Sequence, residues 1–461
     1  MVTKYTVIFL LSILSAVAQT HPAAGPLRIL KTNPRYFTDG SGKAIYLVGS
    51  HNWHNFQDNG HRMPTTQDPP PVFDYNAYLD FLVAHHHNFF RLWRWEAPKW
   101  TDAQPKGVIK FCEPHPWMRT GPGTAVDGKP KFDLTKFNPG YFDRMRSRII
   151  AARDRGIYVS VMLFEGWELQ FTDAWIDHPF NHANNINGID GAESGEAREL
   201  NTLQTSPMGK RVLDMQDAYL RKVVDTVNDL DNVLYETCNE AAGASTSWQY
   251  HVIEYVHQYE AGKPKRHPVG MTYQYPSGAN ALLYNSPADW ISPNDGGPEE
   301  RFRDNPWPPP RGDKVIVNDT DHLWGHTGGD NIWVWKSFMR GLNVLFMEEL
   351  LPSPTWQDSA RQAMGQTRRF ADKINLAEMS PSRDIAATGY CLANRGKEYL
   401  VFQFDKGEFS VNLSDAPGTF SVEWFNVNKD ESIAADPVEG GEARTFTTPF
   451  GGPAALYLKL K

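Results

Sequence analysis

The chain has 461 residues, too many for one ordinary domain but suited to a barrel of about 250–350 residues plus a small module. Hydrophobic content of 41% provides for a large core, and a net charge of −8 with both signs interspersed lacks the concentrated Lys and Arg that a nucleic-acid partner needs. Three widely spaced cysteines, Cys112, Cys238 and Cys391, form neither a disulfide framework nor a metal-ligand spacing and allow at most one disulfide.

The N-terminus reads as a secretion signal. Lys4 precedes an apolar run from Val7 to Ala18, and Ala16-Val17-Ala18 is a small-x-small cleavage site ahead of Gln19. The run is short for a membrane span and no later segment approaches one, so a signal peptide over 1–18, a secreted or periplasmic mature protein and no integral membrane contact are expected. From residue 37 onward, β-like runs alternate with helical periodicity. Strands are expected at 44–49, 88–95, 157–164, 232–240, 267–273, 288–292, 314–319 and 343–347. The run 157–164 is apolar throughout, as in a strand buried on both faces. Helical spacing covers 75–86, 141–155 (closed by Gly156 as C-cap), 215–230, 248–260, 332–342 and 359–374, while 170–206 is a long polar excursion and 280–287 offers barely one turn. Eight strands with helices between most of them favour a closed parallel α/β barrel over an open sheet.

From about residue 385 the rhythm changes. Short strands at 389–393, 398–404, 409–413, 419–425, 444–448 and 454–460 follow one another without helices, separated by clusters such as Asn394-Arg395-Gly396 and Asp415-Ala416-Pro417-Gly418. This predicts a small antiparallel β-sandwich over 385–461, behind a barrel over 25–384. No flexible Gly/Ser linker separates them, so rigid docking through an apolar interface is expected.

Chemistry concentrates at the strand ends. The run 232–240 begins like a buried strand and ends on Asn239-Glu240, where active sites of parallel barrels sit. The bland alternative is a Glu that caps the next helix. Val315-Ile316-Val317-Asn318 leads into Asp319, with Asp321 on the same face by period-2 alternation. Glu96, Glu165 and Glu348 end other strands, and Glu165 is the most serious rival. Tryptophans flanked by polar residues, as in Asn52-Trp53-His54 beside His51 and in Arg91-Leu92-Trp93-Arg94-Trp95-Glu96, suit the apolar faces of sugar rings.

Asn239-Glu240, Arg91 and the acids after 315–318 together resemble the cellulase-like (β/α)8 glycoside hydrolases. The tail 390–461 is similar to the small domain often described as collagen-binding in such proteins. The resemblance implies a (β/α)8 TIM barrel followed by a small antiparallel β-sandwich, acting on a poly- or oligosaccharide. It implies Glu240 as general acid/base and Asn239 as partner of the sugar 2-hydroxyl. Arg91 would depress the pKa of the nucleophile, which falls at Asp319, with Asp321 a close alternative. The family carries a Glu there. The shorter Asp must approach more closely, for retention, or leave a wider gap, for inversion; retention is favoured. Tyr273 or His322 would orient the nucleophile, and Tyr273 reads equally as a core aromatic. An inactive glycan-binding barrel is the competing class, motivated by the Asp. A metal-dependent barrel has least support, because the 15 His include no His-Glu-x-x-His spacing, so no cofactor or metal is expected. His85-His86-His87 ends a helix, where consecutive side chains cannot converge on one ion. Sequons fall at Asn318 and Asn412; glycosylation is not expected at Asn318, within a strand end.

Overall fold

The computed structural model describes residues 21–60, 66–101, 108–297, 300–306, 312–326, 328–348 and 357–461. The expected signal segment lies outside them. Eight parallel strands form one sheet: β1 Val48–Asn52, β2 Phe89–Leu92, β3 Tyr158–Glu165, β4 Val233–Asn239, β5 Val269–Thr272, β6 Trp290–Ser292, β7 Val315–Asp319 and β8 Asn343–Glu348. They pair in chain order from β2 to β8, and β8 pairs with β1. Asn88 closes the remaining seam: its backbone N–H donates to the Val48 carbonyl (2.8 Å), its Oδ1 accepts from the Val48 N–H (2.9 Å), and its Nδ2 donates to the Tyr46 carbonyl (2.9 Å). The seam is tight enough to require Gly49, whose added Cβ would sit 2.0 Å from the Phe89 carbonyl oxygen.

Helices α1 Tyr75–Ala84, α2 Pro139–Arg153, α3 Pro207–Val227, α4 Thr246–Ala261, α5 Asn280–Tyr284, α6 Thr320–Trp324, α7 Asn331–Met339 and α8 Asp358–Lys373 follow the strands. This is the expected TIM barrel. α3 begins eight residues before its predicted start, because Ser206 caps it through Oγ to the Gly209 N–H (2.9 Å) with Pro207 at the first turn. Two strands absent from the sequence reading, Trp117–Thr124 and Pro130–Phe137, form a hairpin between β2 and α2. The excursion after β3 folds against it. Asn185 holds that loop by accepting from the Ile189 N–H (3.0 Å) and donating to the Ile189 carbonyl (2.9 Å).

The C-terminal strands are β9 Ser380–Pro381, β10 Cys391–Asn394, β11 Glu398–Gln403, β12 Glu408–Asn412, β13 Thr419–Asn426, β14 Glu431–Glu439, β15 Ala443–Thr447 and β16 Ala454–Leu460. All their pairings are antiparallel, in a six-stranded sheet of order β9-β10-β11-β16-β13-β14 and a β12-β15 pair. Val401, Val411, Phe420, Leu456 and Leu458 fill the space between. Against the barrel, the contact has an aromatic centre, where Trp335 on α7 stacks on Phe402 (5.5 Å between centroids, 17°) and Phe370 on α8 meets Phe425 edge-on (5.1 Å), with polar contacts such as Gln366 Nε2 to the Val427 carbonyl (2.9 Å) around it. Trp335→Ala is therefore expected to cost about 3–5 kcal/mol, read by urea unfolding; a loss under about 1 kcal/mol would mean the two units stand independently. All three cysteines are free and buried. Among the described residues, no helix is long and apolar enough to cross a membrane.

Candidate functional site

Inward side chains of the barrel stack in layers. Phe89, Leu234, Val317, Trp290 and Leu345 belong to an apolar plug. Two residues further along three of those strands, the same inward face carries Arg91, Glu236 and Asp319. An apolar floor is thus followed by a charged layer.

Arg91 organises that layer. Its Nε and Nη2 donate to both oxygens of Glu236 (2.8 and 2.6 Å), Nη2 also to Oδ1 of Asn239 (2.6 Å), and Nη1 to Oδ2 of Asp319 (3.1 Å) and Oδ2 of Asp321 (2.8 Å). Burial opposes the arginine's charge, but Glu236 and Asp319 beside it more than compensate. His51 stacks on Trp93 and places Nε2 3.3 Å from Oδ1 of Asp319. Burial pushes the Asp319 carboxyl up, yet His51, Arg91 and His322 together hold it below the usual carboxylate range. The same Oδ1 accepts the Asp321 N–H (3.0 Å), so Asp319 caps α6 and fixes where Asp321 begins. His322 bonds Ser292 Oγ through Nδ1 (2.7 Å).

Above this layer opens a cavity of about 290 Å³. Trp53, Trp93, Trp95 and Trp167 contact one another in sequence and form a continuous aromatic wall. Asn239, Glu240, Asp321 and His322 line it, as do Tyr275, Asn294, Arg303 and Trp324. Glu240 lies just past the end of β4 with φ +43°, a left-handed conformation that costs a non-glycine residue energy and is often found at functional positions. Burial, then the charges of Asp321 and Glu165, push its carboxyl well above the usual range. A carboxyl pushed toward its protonated form therefore shares a cavity with one held against an arginine, the division of labour that acid–base chemistry needs.

The other expected residues fall differently. Asp319 is buried and does not line the cavity. Tyr273 donates its hydroxyl to the Gly278 carbonyl (3.1 Å) and lines a neighbouring cavity; Tyr275, two residues on, lines the same cavity as Glu240. Glu165 accepts from the Trp167 and Glu168 N–H groups (3.1 and 2.7 Å) and from Asn239 Nδ2 (2.9 Å), while burial pushes it up to about 8. It holds Asn239 from behind. Glu96 is tied to His178 and Arg94, and Glu348 to Arg361. The His85–His87 imidazoles reach separate partners: His85 the Phe81 carbonyl, His87 Ser50 and the Arg361 carbonyl. Asn318 is buried against Ser337. Asp319, Asp321 and His322 do bring one ligand atom each within 4.8 Å of the others. Arg91 Nη1 already bonds both carboxylates, so a cation placed there would meet a guanidinium.

Glu236 is the missed residue of the charged layer, although it stands two residues beyond the inward Leu234. Glu236→Ala would leave Arg91 without its bidentate partner, and the expected loss is about 3–5 kcal/mol by denaturant unfolding. A loss under about 1 kcal/mol would show that Arg91 does not depend on it.

The family described as a domain of unknown function (DUF6298) matches residues 106–276, a span that includes the hairpin, β3, β4, Glu240 and β5. No curated protein matches the sequence. Among solved structures, a glycoside hydrolase family 5 protein from Bacteroides vulgatus is similar with a TM-score of 0.61 at 12% identity, over 96% of this chain and 95% of that one. Another structure, described as a glycoside hydrolase, is similar with a TM-score of 0.56 at 13% identity, over 95% of this chain and 97% of that one. At such identities the likeness is one of fold, and it extends over both the barrel and the C-terminal sheets.

Proposed function

We propose that this protein is a glycoside hydrolase cleaving O-glycosidic bonds of a poly- or oligosaccharide, with Glu240 as general acid/base and Asp321 as the second carboxylate. The observation that carries the reading is the pair itself: both residues line one tryptophan-walled cavity, Glu240 pushed toward its protonated form and Asp321 bonded to Arg91. In the first step Glu240 gives its proton to the leaving oxygen while Asp321 attacks the anomeric carbon, and the glycosidic C–O bond breaks. In the second, Glu240 takes a proton from water as that water displaces Asp321. The role expected for Asp319 thus moves to Asp321, and Asp319 becomes the positioning group beneath it. We infer retention because the pair sits at the ends of strands four and seven, as in the retaining enzymes that the sequence resembles. Export through residues 1–18 and a unit boundary near residue 385 belong to the same reading.

The test is a panel of plant and bacterial polysaccharides and aryl glycosides, scored for new reducing ends, with Glu240→Gln assayed in parallel. Release by the wild type and not by the variant is expected, and NMR should show the first-formed product with the substrate's anomeric configuration. Firm glycan binding with no bond cleaved across the panel would favour an inactive glycan-binding barrel. An inverted product would make Asp321 a base for water.

A further inference from the structure

Five titratable side chains line the cavity among the described residues: Glu240, Tyr275, Asp321, His322 and Arg303. Burial pushes the Glu240 carboxyl up and the His322 imidazole down, while the carboxylates of Asp319 and Asp321 oppose the second shift. Asp321 bonds Arg91, which is buried, not part of the lining, and shared with Glu236 and Asp319. Among the described lining residues, Arg303, on the segment after β6, is the one Arg or Lys.

Arg303 is not absorbed by the fold. Its Nε lies 3.3 Å from Oδ2 of Asp295, its side chain is 43% exposed, and neither terminal nitrogen has a hydrogen bond among the described residues. Asp295 lines the neighbouring cavity with Tyr273 and Glu300, not this one. The guanidinium stands 6.0 Å over the ring of Trp324, which lines the same cavity. A planar two-nitrogen donor fork beside an aromatic face suits a carboxylate carried on a sugar ring. A pocket built around two acids would repel such a substrate unless a cation were placed to receive it.

Resting on the glycoside hydrolase reading, we propose that Arg303 makes the cavity selective for acidic sugars, binding the carboxylate of a uronate whose ring packs on Trp324. The bland alternative, that Arg303 only balances Asp295, predicts no selectivity between a uronate and its ester. The experiment is calorimetric titration of the full chain with glucuronate and galacturonate, with their methyl esters, and with glucose and galactose. At least one uronate should bind about tenfold or more tightly than its own methyl ester, the scale of one charge-assisted bidentate contact. Arg303→Gln should abolish that ratio, and Arg303→Lys, which keeps charge and loses the fork, should retain part of it. Equal binding of acid and ester, no binding of either uronate, or an unchanged ratio in Arg303→Gln would overturn the proposal. Uronate selectivity lost in Arg303→Gln without hydrolysis of any glycan would keep this inference and sink the hydrolase. Hydrolysis of neutral glycans with no such selectivity would do the reverse.

Discussion

Glu240→Gln is expected to reduce turnover of a glycoside with a poor leaving group by about 10²–10⁴-fold, the contribution of a positioned proton donor. Glutamine preserves the shape of the side chain and the backbone at φ +43°, so substrate affinity should change little. The pH profile carries a second signature. The acid form of Glu240 is the active one, and its pKa is raised. Activity should therefore persist below that pKa and fall as pH rises through it, giving an alkaline limb displaced upward from the ordinary carboxylate range. In Glu240→Gln that limb should vanish together with most of the rate. A loss below tenfold, or an unchanged alkaline limb in the variant, would remove Glu240 from the chemistry.

Asp321→Asn is expected to cost on the order of 10⁴-fold or more in kcat, the scale of losing a member of a catalytic unit, whatever the leaving group. Asparagine can still accept from Arg91, so fold and affinity should survive. Asp319→Asn should behave differently. It removes a buried charge shared by Arg91 and His51, and the expected stability cost is about 1–3 kcal/mol. Its kinetic effect should be smaller than that of Asp321→Asn, because Asp319 lies behind the cavity lining and acts on Asp321 through the α6 cap. An inactive Asp319→Asn beside an Asp321→Asn that keeps more than a tenth of wild-type turnover would reverse the two roles.

Much of this architecture was legible in the sequence. β3, β7 and β8 each contain an unbroken apolar run of three or four residues, and their bounds lie within a residue of those expected. β1 was placed too early, because its later half, Ser50–Asn52, is polar. Those residues extend the strand since they pair with Phe346–Glu348 on β8 and sit in the polar upper layer. β14 was invisible: nearly every residue in it is exposed and it contains Pro437, so neither alternation nor an apolar run marks it. The hairpin after β2 was hidden by Gly121-Pro122-Gly123, which reads as loop.

The site divides in the same way. Residues at strand ends, such as Arg91, Asn239, Glu240 and Asp321, announce themselves because charge at the end of an apolar run is conspicuous. Glu236 lay inside a strand taken as wholly buried, and only inward phase relative to Leu234 reveals it. Arg303, Asn294 and Tyr275 come from irregular segments. There, sequence carries no period, and proximity to Glu240 depends on the closed barrel. Tyr273 was assigned to the site by strand position alone, but its hydroxyl turns to the Gly278 carbonyl.

The central claim, a Glu240–Asp321 pair that cleaves through a covalent intermediate, is tested most directly by trapping that intermediate. A 2-deoxy-2-fluoro glycoside matched to the active substrate should label the wild type with one glycosyl unit, and peptide mapping should place it on the segment containing Asp321. Asp321→Asn should not be labelled, while Asp319→Asn should be. A label on Asp319 or Glu165, or turnover of the parent substrate without any adduct and with inversion, would contradict the account.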